Sequence, residues 1–188
     1  ANAPRECYPT ARNAAYTVPD RETSSRLIVS TYNNYYEFKH QGDLKKVWPL
    51  TGNYEPFPMT ISVGGLVEEE QTFNVAQLIR SMDLEERLYR FRCVEAWSLT
   101  VPWTGFPLRD LIDRCRPLSR TTHVRFFSVN RPAQMPAVTG GYYEFPYYEG
   151  LRMDEAMNEL AFVATGVFGE PLPKQNGSPL RLVLPWKY

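Results

Sequence analysis

Leu88-Tyr89-Arg90-Phe91-Arg92-Cys93 alternates as a β-strand does, and the residues after it, Val94-Glu95-Ala96-Trp97-Ser98, do not continue the pattern. Tyr89, Phe91 and Cys93 fall on one face of that strand, and Leu88, Arg90 and Arg92 on the other. The strand therefore ends by delivering a single thiol into a turn, on the same side as two aromatic rings. A thiol placed this way can serve as one soft ligand to a metal that something else chiefly holds. It can equally be a buried free cysteine acting as a small hydrophobe. Arg90 and Arg92 would favour the thiolate, but alternation turns both away from it; Glu95 offers a nearby acceptor. The local pattern leaves both readings open.

The rest of the chain sets this strand in an α+β fold, mostly β, with mixed sheets and short helices. Residues 1–30 carry Pro4, Pro9 and Pro19 and no clear period, which predicts an extended N-terminal arm, with the domain proper over 31–188. Gly42 to Pro58 reads as a surface loop. Thr60–Val63, the turn Gly64-Gly65 and Leu66-Val67 predict a hairpin. Asn74 can cap a helix whose Val75, Leu78, Ile79 and Met82 fall at helical spacing. A second helix runs from Pro107 to Cys115, with Leu108, Leu111, Ile112 and Cys115 on one stripe, so Cys115 reads as core. Val124–Val129 predicts a strand with Val124, Phe126 and Ser128 on one face. Gly140 to Gly150 predicts a Tyr- and Pro-rich loop, Asp154 a cap for a short helix, Leu160–Val167 a strand, and Leu180–Leu184 a last strand ended by Pro185-Trp186.

Residue counts exclude several chemistries. With three cysteines (Cys7, Cys93, Cys115), two histidines (His40, His123) and no C-x-x-C, no zinc set, c-type haem attachment or iron–sulfur set is evident. A haem with two histidine ligands would use both histidines. One disulfide remains open, through an exposed Cys7. Lys+Arg and Asp+Glu are 21 each, which argues against nucleic acid as a partner. No apolar run approaches the roughly 20 residues that span a bilayer. No G-x-G-x-x-G follows a strand, so electrons for any redox step must come from another protein.

Three segments together resemble a known family: Tyr32-Asn33-Asn34-Tyr35-Tyr36-Glu37-Phe38, then Arg90 to Ser98 followed by Pro102-Trp103-Thr104-Gly105-Phe106-Pro107-Leu108, and last Gln175-Asn176-Gly177-Ser178-Pro179-Leu180-Arg181. The set is similar to the molybdopterin-binding core of the sulfite oxidase superfamily, and within it to the catalytic subunits of periplasmic protein-methionine-sulfoxide reductases. The resemblance implies a sulfite oxidase-like fold and one molybdenum-molybdopterin per chain, with Cys93 as the protein's ligand to the metal. It implies cofactor contacts from Asn33, Tyr36, Glu37, Ser128, Asn176 and Arg181, the last suited to the terminal phosphate. Glu95 and Asn34 become candidates for positioning groups beside the metal. The family's chain continues past Trp186-Lys187-Tyr188 into a basic segment that also holds the cofactor, so the resemblance implies a domain truncated at its C-terminus.

The same resemblance implies a function: reduction of methionine sulfoxide in oxidised periplasmic proteins, with electrons from a membrane haem-containing subunit and export by the twin-arginine route to the periplasm. Two other readings stand beside it. Oxidation of sulfite would want a basic pocket, for which Arg90, Arg92, Arg125 and Arg131 are candidates. A non-catalytic binding module would leave Cys93 inert and use the tyrosines from Tyr142 to Tyr148 as its surface.

Overall fold

A computed structural model describes residues 3–39, 46–141 and 143–187. His40, the Gly42 end of the first loop, Tyr142 and Tyr188 lie outside the described residues. The elements in chain order are α1 (Arg26–Thr31), β1 (Thr60–Val63), β2 (Gln71–Asn74), α2 (Val75–Ser81), β3 (Glu85–Arg92), β4 (Ser98–Pro107), α3 (Leu108–Cys115), β5 (His123–Phe127), β6 (Tyr148–Arg152), α4 (Met153–Ala156), β7 (Phe162–Val167), β8 (Glu170–Pro171) and β9 (Arg181–Val183). All strand pairs are antiparallel, and the helices are short: an α+β fold, mostly β, as expected.

The main sheet is centred on β7, which is buried along its whole length. β4 pairs with one edge of β7, and β3 with the far edge of β4; β9 and β8 share the other edge of β7. A strand covered on both faces loses its alternation and reads as a continuous apolar run, which is why Leu160–Val167 shows so little period in the sequence. The β4–β7 register shifts between Thr104 and Gly105, leaving Thr165 as an extra residue in β7. Its carbonyl accepts from Leu172 N–H at 3.0 Å, and the Tyr8 hydroxyl of the arm reaches the same carbonyl at 2.9 Å and the Thr165 hydroxyl at 2.7 Å.

The sheet separates two cores. On one side Phe106 and Val163 pack with Leu78 of α2, the Leu108–Cys115 stripe of α3, and Leu151. On the other, Trp103, Val101, Tyr89, Phe162, Ala164 and Val183 pack with Val29 of α1. A third, smaller cluster joins Phe38, Val47, Tyr54 and Met135.

The arm wraps the edge of the sheet. Glu86 N–H donates to Ala11 O, Asn13 N–H to Glu86 O, and Leu88 N–H to Tyr16 O, so the free edge of β3 is covered. Residue 30 falls inside α1, which Ser25 caps through its side chain. Inside the β3 edge, the Arg87 guanidinium is buried between the Tyr16 and Phe162 rings and donates to Tyr89 Oη and Glu159 O.

Several expectations shift. The partner of β1 is Gln71–Asn74 and not Leu66-Val67, because Val67 turns aside to bridge Pro117. β3 begins at Glu85 and stops at Arg92, so Cys93 lies in the turn and no longer shares the strand face of Tyr89 and Phe91. β5 closes at Phe127, leaving Ser128 just beyond it, and β6 takes Tyr148–Gly150 out of the expected loop. Asp154 sits inside the first turn of α4; the helix starts one residue earlier, where the Glu155 carboxylate accepts the Arg152 N–H. Asn74 does cap α2, its Oδ1 accepting from Gln77 N–H at 3.1 Å. All three cysteines are free, and Cys7 is half-buried in a 3-10 turn instead of exposed.

Candidate functional site

β3 and β4 are joined by the five residues Cys93–Trp97, between the register pair Arg92 and Ser98. Two main-chain hydrogen bonds close this loop: Cys93 N–H to Trp97 O at 3.0 Å, and Ala96 N–H to Cys93 O at 3.1 Å. Ala96 takes a left-handed conformation (φ 67°), which a non-glycine residue adopts at a cost of about 1 kcal/mol or more. The loop's shape is thus set by its closure and not by glycine. It leaves Cys93 half-buried and free. Glu95 is held in place, its Oε2 accepting from Trp97 Nε1 at 3.1 Å, and Trp97 in turn meets the Tyr32 ring edge-on at 5.2 Å between centroids.

Cys93 borders a cavity of about 60 Å³, to which Asn33, Asn34, Asn176 and Arg181 also contribute. Asn33 follows the C-terminus of α1 and is 6 % exposed. Its Nδ2 donates to Ser30 O at 3.0 Å. Asn176, 3 % exposed, ends a 3-10 turn at Lys174–Asn176, and its Nδ2 donates to Val29 O, also at 3.0 Å. Both amides are therefore pinned by main-chain carbonyls of α1, and in both the Oδ1 acceptor is buried with no partner among the described residues. The chain turns after Asn176 through Gly177 (φ 96°), where a Cβ would press on Tyr35 Oη and on the Arg181 side chain, so glycine is required twice over. That turn returns Arg181 to the cavity at the start of β9. Its guanidinium lies over the rings of Phe91 (4.8 Å) and Trp103 (4.9 Å) and donates to Asn176 O at 3.3 Å.

Tyr36 approaches the same region. Burial first, and then Tyr143, Glu95 and Cys93, raise its phenol pKa, and its ring packs on Tyr143 at 4.9 Å. Glu37 and Ser128 do not line the Cys93 cavity. They form a pair of their own: burial raises the Glu37 carboxyl pKa, its own backbone and the Ser128 hydroxyl draw it back down, and Ala137 N–H binds the Glu37 carbonyl at 3.0 Å. Ser128 Oγ is buried and has no hydrogen-bond partner of good geometry among the described residues. The structure also adds residues that sequence reasoning passed over, chiefly Phe91, Trp97 and Trp103, whose aromatic character reads as ordinary core until the sheet register sets them around one cavity. Among the described residues, no three His, Cys, Asp or Glu side chains converge as a metal site.

Comparison with known proteins bears on the group this wall would hold. Residues 51–188 match the family model described as the oxidoreductase molybdopterin binding domain. The chain belongs to that family. It is 44 % identical over 176 residues to the protein-methionine-sulfoxide reductase catalytic subunit MsrP of Burkholderia mallei, 49 % over 164 residues to that of Gluconobacter oxydans and 42 % over 176 residues to that of Ralstonia nicotianae. These matches cover 94 %, 85 % and 94 % of this chain but 52 %, 51 % and 52 % of the relatives, so the chain spans about half their length. Among solved structures, the sulfane dehydrogenase SoxCD from Paracoccus pantotrophus has the same fold at 15 % identity (TM-score 0.57), over 90 % of this chain and 46 % of that one.

The polar groups of this wall fit such a group. A pterin ring carries N–H donors that need acceptors, its phosphate needs a cation, and its metal needs a thiolate. The two orphaned Oδ1 atoms, Arg181 and Cys93 are of those kinds. A volume of 60 Å³ corresponds to about two waters, so these residues would form one wall of a cofactor site and do not enclose a cofactor.

Proposed function

We propose that this chain provides the metal-ligand half of a molybdenum-dependent oxidoreductase that reduces methionine sulfoxide in oxidised proteins to methionine. The observation that carries the reading is the convergence of Cys93 with the pinned Asn33 and Asn176 amides and the stacked Arg181 on one cavity, in a chain 42–49 % identical to proteins named for that activity. When bound, one molybdenum-molybdopterin per chain supplies two-electron oxygen-atom transfer, the change that separates a sulfoxide from a thioether. The residues here bind and orient. Cys93 ligates the metal; Asn33, Asn176 and Arg181 hold the pterin and its phosphate. Tyr36 flanks the metal, and Glu37 with Ser128 would contact the cofactor's far edge. Glu95, oriented by Trp97, and Asn34 position the sulfoxide and its protons.

The loop tip is exposed: Val94, next to Cys93, is 81 % accessible. A side chain on another protein's surface can therefore reach the thiol's neighbourhood without threading a channel, which suits oxidised proteins as substrates. A membrane haem subunit as electron donor and a periplasmic location follow from the same reading. Among the described residues, the four arginines named for a sulfite pocket do not converge. Arg90 and Arg92 face a different cavity under the arm, Arg125 stacks on Phe127 and Tyr148, and Arg131 is bound to the Glu55 carbonyl.

The test is reduction of methionine sulfoxide in an oxidised protein by the full natural chain, loaded with cofactor and driven by a reduced dye. Turnover with methionine sulfoxide, absent for sulfite with an electron-accepting dye, supports the reading; turnover with sulfite alone overturns it.

A further inference from the structure

We infer that Trp103, through its indole N–H, is an additional hydrogen-bond donor to the bound cofactor. The inference rests on the molybdopterin reading above and extends it to a residue whose pattern in the sequence signals only core. Trp103 is 1 % exposed in the middle of β4, on the face that lines the Cys93 cavity with Asn33, Asn176 and Arg181. Its Nε1 is buried and has no hydrogen-bond partner among the described residues. An indole N–H can only donate, and a buried donor left unmet is rare enough to need a reason. A phenylalanine at this position would leave no donor unmet.

The neighbouring polar groups supply the reason. The partnerless atoms of Asn33 and Asn176 are both acceptors, while each Nδ2 gives one of its N–H groups to a main-chain carbonyl. Trp103 Nε1 is the orphaned donor at the same cavity. A pterin edge, which carries N–H donors next to a carbonyl acceptor, needs that mixture and not acceptors alone. Trp103 also gives Arg181 one of its two ring faces, so the indole orders the cation while offering its own N–H.

The experiment compares the wild type with Trp103→Phe and Phe91→Leu, each made as the full natural chain with molybdopterin supplied during expression. It reads molybdenum and released pterin per chain, and the rate at which pterin leaves on dilution. Trp103→Phe keeps an aromatic face under Arg181 and removes the donor along with part of the ring's volume; Phe91→Leu removes the other face and no donor. The expected result is pterin loss about 3- to 10-fold faster in Trp103→Phe, the worth of one neutral hydrogen bond. Thermal unfolding without cofactor should fall in both variants, since each leaves a smaller side chain in the packed wall. Equal retention in Trp103→Phe and wild type would overturn the inference while leaving the cofactor reading standing, as would equal losses in both variants, which would assign the effect to Arg181 stacking. A wild type that takes up no molybdopterin would overturn both.

Discussion

Glu95 and the buried tyrosines show how single side chains are tuned by this fold. Glu95 is tethered by Trp97 two residues away, so its carboxylate is oriented before any substrate arrives. Glu95→Gln keeps the shape and the acceptor for Trp97 but removes the charge. The expected outcome in steady-state kinetics is a kcat lowered about 10- to 100-fold with molybdenum content unchanged; loss of the metal instead would make Glu95 a structural support. Tyr8 and Tyr54 report on stability. Burial pushes both phenols up to about 12 from the usual 10. The folded state then keeps protons that the unfolded chain gives up, so the stability they contribute is full below about pH 10 and is lost as pH rises from there toward 12. Urea midpoints should be level up to pH 10 and then fall, and the double variant Tyr8→Phe/Tyr54→Phe should fall less steeply; an unchanged alkaline slope would contradict the assignment. At this scale a family likeness singles out Cys93, Asn33, Asn176 and Arg181, which the structure sets around one cavity. It concealed Trp103, because whether an indole N–H is satisfied depends on neighbours brought in by three separate segments.

At the scale of elements, the site depends on how closely β4 lies against β7. Gly105 sits where the register shifts, and a Cβ there would overlap the Val163 carbonyl. Since backbone and not a flexible side chain stands in the way, Gly105→Ala is expected to cost about 3 kcal/mol, the upper end for overpacking, seen as a lowered urea midpoint; a change within 0.5 kcal/mol would mean that the strands separate easily. Asn74→Ala, which removes the α2 cap on the far side of the sheet, should cost only about 1 kcal/mol and leave cofactor retention untouched. Helices α2 and α3 were legible because their apolar residues recur at helical spacing and their ends carry cap signals. The β1 hairpin was misread because Gly64-Gly65 is a strong local turn signal, while the true partner strand is chosen by tertiary packing: Val67 is drawn to Pro117, and β2 pairs only from Gln71. Cys93 was placed on the strand face because alternation in the sequence runs one residue past the last ladder pair.

Over the whole molecule, the N-terminal arm, the sheet and the two returning segments around Asn33 and Asn176 act as one frame. The arm covers the β3 edge and fills the bulge at Thr165, which steadies the hairpin whose loop carries Cys93. Helix α1 supplies the carbonyls that orient both asparagine amides. Fold class was readable from turn signals and strand lengths, whereas the site was not readable from spacing alone, because its parts are more than 140 residues apart in sequence at Asn33 and Asn176. The most direct measurement is molybdenum per chain, by elemental mass spectrometry, in the full natural protein and its Cys93→Ser variant. The expected result is about one molybdenum per wild-type chain and near none in the variant, with both equally folded by circular dichroism. Equal molybdenum in the two, or none in a folded wild type, would contradict the account.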